Sequence, residues 1–230
     1  MTGSFHTAIR SGMRAALAAL VKATSGPSLF GLTVSSTTVA TITRTDGGSF
    51  VNDGVAAGDE LAGSGWSNAA NNGNWYVTAV SDASLLVTTP ATAPRAIVSE
   101  APGARVTLVV GLPSLVADEN TTFTAQPGQC WWRETYTAGP EQRRSLGPLP
   151  RVRLDFLYAI SVFYPAGAGA AGLDGLTDAL QAALYPGRVL TYNGQSFTML
   201  SALRTGFVEE ADWSSVVFSA RGFAYSFSPS

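Results

Sequence analysis

From Leu154 to Tyr164 the large apolar side chains fall on every second residue: Leu154, Phe156, Tyr158, Ile160, Val162, Tyr164. A period of two is the mark of a strand that buries one face, so a sheet with a covered side is part of any fold this chain adopts. A second strand is expected near 130–137. Between the two lies a Pro/Gly-rich loop, 138–153, that carries Arg143, Arg144, Arg151 and Arg153 against the single acid Glu141. The arrangement describes a scaffold that presents a charged loop.

Helical periodicity occurs twice. Phe5, Ile9, Met13, Leu17, Leu20 and Val21 line one face of a helix expected over 4–24, with Ser4 as its cap and Ser25-Gly26-Pro27 as its stop. Leu173, Leu176, Leu180 and Leu184 do the same for 172–185, ended by Tyr185-Pro186-Gly187. Between 31 and 111 the helical period vanishes. Short strands are expected at 38–44, 58–63, 75–80, 84–89 and 104–110, separated by turn signals such as Asp53-Gly54 and Asn71-Asn72-Gly73-Asn74. Such a β unit could bring its first and last strands side by side, as an inserted unit requires. Asn193-Gly194 between two patterned runs marks a hairpin. The closing strand, 214–227, shifts its apolar phase across Gly222, from Val216 and Phe218 to Phe223, Tyr225 and Phe227, which suggests a bulge or bend there. The expected architecture is α+β: a mixed or antiparallel sheet with flanking helices, built from residues 1–30 and 112–230, with a small β-barrel or β-sandwich-like domain inserted at 31–111.

Charged residues make up 13% of the 230 residues, about half the usual share of roughly 25%. A surface so neutral suits lasting contacts between subunits. The net charge of −2 gives no bulk attraction to nucleic acid or membrane. Residues 31–111 hold six acids against three arginines, −3, which leaves the rest at +1. Lys22 is the one lysine; the preference for arginine fits forked interface contacts and equally a GC-rich coding sequence. Cys130 is the one cysteine, so no internal disulfide forms. No apolar run reaches the ~20 residues of a membrane span, and Arg10, Arg14 and Lys22 interrupt any signal-peptide core. Synthesis and assembly in the cytoplasm are expected.

Catalytic chemistry finds few groups to work with. His6 is the one histidine, placed on or before the first helix, where a surface role explains it better than a nucleophile's partner. Glu209, Glu210 and Asp212 form the one dense acidic group and read as a solvated turn rather than a metal site. The Gly/Ala run 166–172 precedes a helix and could cradle an anion, but a flexible connection accounts for it. Asp174 and Asp178 suit the start of the same helix electrostatically. No catalytic residue, cofactor or metal ligand is assigned. Trp131 and Trp132 must face opposite sides of their strand, one toward the core and one toward an interface. The four loop arginines, Arg143, Arg144, Arg151 and Arg153, form either a solvated loop or an anion-binding surface. For the latter, an acidic protein fits better than a nucleic-acid backbone, because no exposed aromatics interleave with the cations.

The order of short motifs adds a resemblance. An N-terminal helix is followed by Glu119-Asn120-Thr121-Thr122-Phe123-Thr124, Pro127, Trp132-Arg133-Glu134 and Leu146-Gly147-Pro148. Then come Tyr158-Ala159-Ile160-Ser161-Val162-Phe163-Tyr164-Pro165 with glycines, a leucine-rich helix, Tyr185-Pro186-Gly187, and a strand after Asp212-Trp213. Over about 4–26 and 115–227 this resembles the tail terminator proteins of long-tailed bacteriophages. Residues 31–111 depart from that pattern. Gly48-Ser49-Phe50, Asp53-Gly54, Gly58-Asp59, Asn68-Ala69-Ala70-Asn71-Asn72-Gly73 and Tyr76-Val77-Thr78-Ala79-Val80 resemble instead a small β domain that recurs in phage tail and neck proteins. The resemblance implies a non-enzymatic virion protein of the tail and neck, without cofactor. It would form a homohexameric ring on the head-proximal end of the tail tube, end tube polymerisation and offer a docking surface to the head connector or stopper. The partners would be copies of itself, the tube protein and the connector. No membrane and no sequence-specific nucleic acid would be bound, although the genome could pass through the ring. Other readings are a head-completion protein, a stopper or a tube subunit. From another class comes a surface- or glycan-binding module with Trp66 and Trp75 as platforms.

Overall fold

The computed structural model describes residues 2–90, 95–118, 122–145, 151–168 and 170–227. In chain order the elements are α1 (Thr2–Ala18), β1 (Ala23–Val34), β2 (Val39–Arg44), β3 (Glu60–Ser64), β4 (Gly73–Val80), β5 (Ser84–Thr88) and β6 (Arg105–Val110). They continue with β7 (Val116–Ala117), β8 (Trp131–Arg143), β9 (Arg151–Pro165), α2 (Ala170–Ala183), β10 (Val189–Tyr192), β11 (Gln195–Arg204), β12 (Val208–Glu209) and β13 (Trp213–Phe227). The class is α+β, with far more strand than helix.

Strands β1 to β6 close into a barrel in the order β1-β2-β5-β4-β3-β6. The five short strands expected from the sequence are all present within two residues of their expected starts. The sixth, β1, was not expected. It occupies the segment assigned to the end of the first helix and its stop signal, and α1 accordingly ends at Ala18. The reason is tertiary: Ala23, Thr24 and Ser25 pair with Val110, Val109 and Leu108 of β6, and the register then slips between Ser25 and Ser28. Gly26, at φ +101°, occupies that irregularity; a Cβ there would lie 2.4 Å from the Val106 carbonyl oxygen. The Gly-Pro pair is thus a bulge within a strand. The expected first strand, β2, lies between β1 and β5, and the unexpected β1 takes the place beside β6.

The second sheet runs β10-β11-β13-β9-β8-β7, with β12 beside β13. It is antiparallel except for the short parallel pair β7 and β8. The two fifteen-residue strands β9 and β13 pair without interruption from Trp213↔Pro165 to Phe227↔Arg151. Along β9 every even-numbered side chain from Leu154 to Tyr164 is buried, which bears out the period-two reading. Toward both ends of the inner face large stands against small: Tyr164 opposite Ser214, Tyr158 opposite Ala220, Phe156 opposite Gly222 and Leu154 opposite Ala224, with Ile160 opposite Phe218 and Val162 opposite Val216 between them. This interdigitation accounts for Gly222, whose Cβ would meet the Phe156 ring at 2.4 Å. No bulge interrupts β13 there. The slip falls on the neighbour β11, between Met199 and Ser201, and leaves Leu200 exposed. Phe223 and Tyr225 belong to the opposite face.

Helices α1 and α2 cover the inner face through Ile9, Met13 and Leu17 and through Leu173, Leu176 and Leu180. A second core fills the barrel. Charged groups join these parts. Lys22, only 2% exposed, donates to both oxygens of Asp59 at 2.7 Å, and Asp59 also accepts from the Tyr164 hydroxyl at 2.6 Å. Glu134, fully buried on β8, accepts from Arg10 Nε at 2.8 Å and Arg14 Nε at 2.9 Å on α1, and from the Tyr158 hydroxyl.

Candidate assembly surface

The expected loop 138–153 is mostly strand. β8 reaches Arg143 and β9 starts at Arg151; residues 146–150, including Leu146-Gly147-Pro148, lie outside the described residues. Gly139 and Pro140 fall where the β8–β9 register slips, between Ala138 and Glu141. Gly139 is required by space, since a Cβ would sit 2.8 Å from the Asp155 carbonyl oxygen. The extra residue inverts the phase of everything after it on β8.

That inversion divides the four candidate arginines. Arg151 and Arg153 are odd-numbered on β9 and lie on the face away from the helices. Arg144, whose N–H donates to the Arg151 carbonyl and whose guanidinium bonds Gln142, shares their side. Arg143 pairs with Val152 and has the phase of the helix-facing residues. Three of the four therefore share a face, and the fourth does not.

The same register adds two cations that the sequence reading left aside. Arg133 is opposite Ser161 and Arg221 is opposite Leu157, so both stand on this outer face, and both are exposed. Among the described residues the one carboxylate pairing seen here is Arg153 with Asp155 at 2.8 Å. The guanidinium of Arg151 lies 4.6 Å above the Tyr225 ring and that of Arg153 lies 4.3 Å above Phe223. Aromatic faces hold these side chains extended without neutralising them. The expectation that no aromatics interleave with these cations is thereby corrected; the signal was absent from the local sequence, because it depends on which residue of β13 faces which residue of β9.

At the other end of this face Trp131 stacks on Phe163 at 3.8 Å, with Trp213 edge-on and Phe123 at 4.8 Å. Trp132 points the other way, is buried, and donates from Nε1 to the Pro113 carbonyl at 2.9 Å. The two tryptophans face opposite sides of β8, as expected, and the outward one is already half sheltered by its own chain.

The remaining candidates are placed plainly. His6 Nδ1 lies 2.8 Å from the Tyr136 hydroxyl. Cys130 is buried, and burial pushes its thiol well up, away from the reactive thiolate. Glu209, Glu210 and Asp212 are exposed, and among the described residues no group of three or more possible ligands gathers for a metal. Ahead of α2, Gly172 packs against Tyr164, where a Cβ would come within 2.7 Å of the ring, so close packing explains that glycine; residue 169 of the same run is outside the described residues, as are Glu119, Asn120 and Thr121. Trp66 and Trp75 point into the barrel core and offer no exposed platform for a sugar. Among the described residues no helix is long and apolar enough to cross a membrane.

Glu134 shows how the sheet is tied to α1. Burial opposes its ionisation, but hydrogen bonds from Arg14 and Tyr158 and the charges of Arg14 and Arg10 outweigh it, and the carboxyl sits below its ordinary value.

A protein-family model described as phage tail terminator protein matches residues 98–217, a span that holds β6 to β12, α2 and the first part of β13. No curated protein matches the chain. One solved chain is 20% identical, covering 52% of this chain and 83% of its own length, with a TM-score of 0.38, too low to establish a shared fold.

Proposed function

This chain belongs to the phage tail terminator protein family, and from that premise we propose that it caps the head-proximal end of the tail tube. The family is structural rather than catalytic, and membership implies a position in the virion tail in contact with tube components. Our finer reading is a six-membered ring of identical copies that ends tube polymerisation and offers its free side to the head connector or stopper. The β1–β6 barrel, which takes in β1 as well as most of the expected 31–111, would be an inserted unit carried on the outside of that ring.

The observation that carries the reading is the outer face of the β8–β9–β13 sheet. It is long and continuous, and Arg133, Arg144, Arg151 and Arg221 have no carboxylate partner on it among the described residues. Charges left wet and unpaired cost the fold little, and they are available to an acidic neighbour in the neck, where electrostatic complementarity sets register and rate of encounter. The outer edge of β8 beyond its short pairing with β7 is a second device, because an unpaired strand edge can accept another chain.

Particles assembled with Arg151→Glu and Arg153→Glu together test this. The expected result is a folded protein, finished tails of normal length, and a loss of joining to heads. Normal joining would refute the assignment of this face. Particles lacking the protein altogether should carry overlong tails; absence of tails would indicate a tube subunit instead.

A further inference from the structure

The sheet built on β9 and β13 is open at both sides, and its two open edges match. Along β8, β7 pairs only with Trp132 and Arg133, and the register slip between Ala138 and Glu141 distorts the strand further on. Among the described residues no strand lies beside residues 134–138 on that side. On the opposite edge β10 pairs with β11 from Gln195 to Thr198, and Met199 still donates to the Arg188 carbonyl. The slip at Leu200 follows, and β11 ends at Arg204. Residues 200–204 likewise have no outer strand among the described residues. The two windows are equally long.

Direction and level agree as well. Strands β8, β9, β13 and β11 alternate in direction, so β8 and β11 run opposite ways. A rotation about an axis along the strands preserves each direction, and the β11 of a second copy then meets β8 antiparallel, as in most of the sheet. Ser201 pairs with Arg221, Arg221 with Leu157, and Leu157 with Thr137; Arg204 reaches Glu134 in the same way through Phe218 and Ile160. The rotation keeps these levels, so the next copy's Ser201 stands opposite Thr137 and its Arg204 opposite Glu134.

The backbone phase fits this register. Trp132 N–H points out of the β8 edge, to the Leu115 carbonyl, so the even-numbered residues that follow turn their backbone groups outward. On β11 Thr205 N–H points inward, to the Val217 carbonyl, which leaves Ala202 and Arg204 turned outward. Even meets even, and about four backbone hydrogen bonds form. Leu203 is 67% exposed and Leu200 48%, on an edge with neither the proline nor the lysine that deters pairing. The exposed Glu209 and Glu210 of the next copy fall toward the end of β8 that carries the exposed Arg133.

We propose that β11 of one copy adds to the open edge of β8 of the next, antiparallel with Ser201 opposite Thr137, so that a ring closes through one continuous sheet. This rests on the ring reading above and names the surfaces that make the ring. The contact joins two different edges, as ring closure requires.

Thr137 and Ser201 would form a pair without backbone bonds between them, whose Cα atoms come to about 4.5 Å, within reach of a disulfide. The test oxidises tails that carry Thr137→Cys together with Ser201→Cys, Leu203→Cys or Thr205→Cys, and reads the protein on a denaturing gel; the native Cys130 is buried. The two further positions cover a tilt of the strands against the ring axis, which moves the register in steps of two. One of the three pairs should give a ladder of covalent multimers that reductant collapses, with each single variant staying monomeric. Tail-bound protein without a ladder in any of the three would overturn the edge pairing and leave the ring reading standing. Absence of the wild-type protein from tail ends, seen with a labelled antibody, would overturn both. A covalent dimer from Thr137→Cys alone would show two copies of β8 paired about a two-fold axis and would also overturn the proposal.

Discussion

The two faces of β9 carry charge in opposite ways. On the even-numbered side, where the helices cover it, the buried charge is paired: Glu134, next to Tyr158, collects Arg10 and Arg14. On the odd-numbered side Arg151 rests on Tyr225, and Arg133 and Arg221 stand nearby without a carboxylate among the described residues. The difference follows from water. A desolvated ion without a partner destabilises the fold by several kcal/mol, so burial forces pairing. An exposed arginine keeps its hydration and can await a partner from another molecule. The inner face therefore records what holds the subunit together, and the outer face records what the subunit can still bind.

The seam between barrel and sheet offers the strongest way to break this comparison. Asp59→Ala strands the Lys22 ammonium in a dry site and removes the acceptor of Tyr164. A loss of about 3–5 kcal/mol is expected in urea unfolding, with much of it recovered by adding Lys22→Met, which removes the orphaned charge. An unchanged midpoint for the single variant would mean that buried charges here need no partner.

Glu134→Gln comes next, at about 1.5–3 kcal/mol. Its pH dependence has a definite sign. The folded carboxyl is held below its ordinary value of 4.5, so its contribution is complete above that value and is lost as pH falls through it toward the lower folded value. The wild type should lose stability faster than Glu134→Gln on acidification from pH 6 to 3. Parallel curves would show that Arg10 and Arg14 do not hold the charged form.

Gly222 shows how far the sequence could be read and where reading failed. The strand containing it, its length and its apolar character were all legible from local pattern. The phase change across Gly222 was legible too, but its cause was not, because the cause is the Phe156 ring on another strand. The same limit separated Arg143 from Arg151, Arg153 and Arg144: one extra residue at Gly139-Pro140 inverts the phase, and its position depends on pairing. β1 was missed because Ser25-Gly26-Pro27 ends a helix locally, whereas β6 recruits the segment into a barrel. Periodicity survived into the structure; cross-strand partners did not announce themselves. Gly222→Ala should cost about 1–3 kcal/mol by overpacking, and Phe156→Leu in the same chain should restore part of it. Additive losses would instead favour a backbone bend at Gly222.

The smallest effects belong to the outer face, and their smallness is the point. A double-mutant cycle of Arg151→Ala and Tyr225→Leu should return a coupling of about 0.5–1 kcal/mol, the size of an exposed cation–π contact. Arg133→Ala and Arg221→Ala should each change unfolding stability by no more than about 0.5 kcal/mol. If these residues serve assembly, the same variants must show their effect in another measurement, the fraction of tails joined to heads, and the difference from the wild type should shrink with added salt because salt screens the wild-type contact. A variant that leaves both stability and joining untouched would mean that its arginine is simply solvated. If all of them did so, the division between the faces of β9 would describe solubility alone. The interleaved aromatics argue against that outcome: solubility calls for charge, but it does not call for Phe223 and Tyr225 to stand beneath Arg153 and Arg151 and hold them in place.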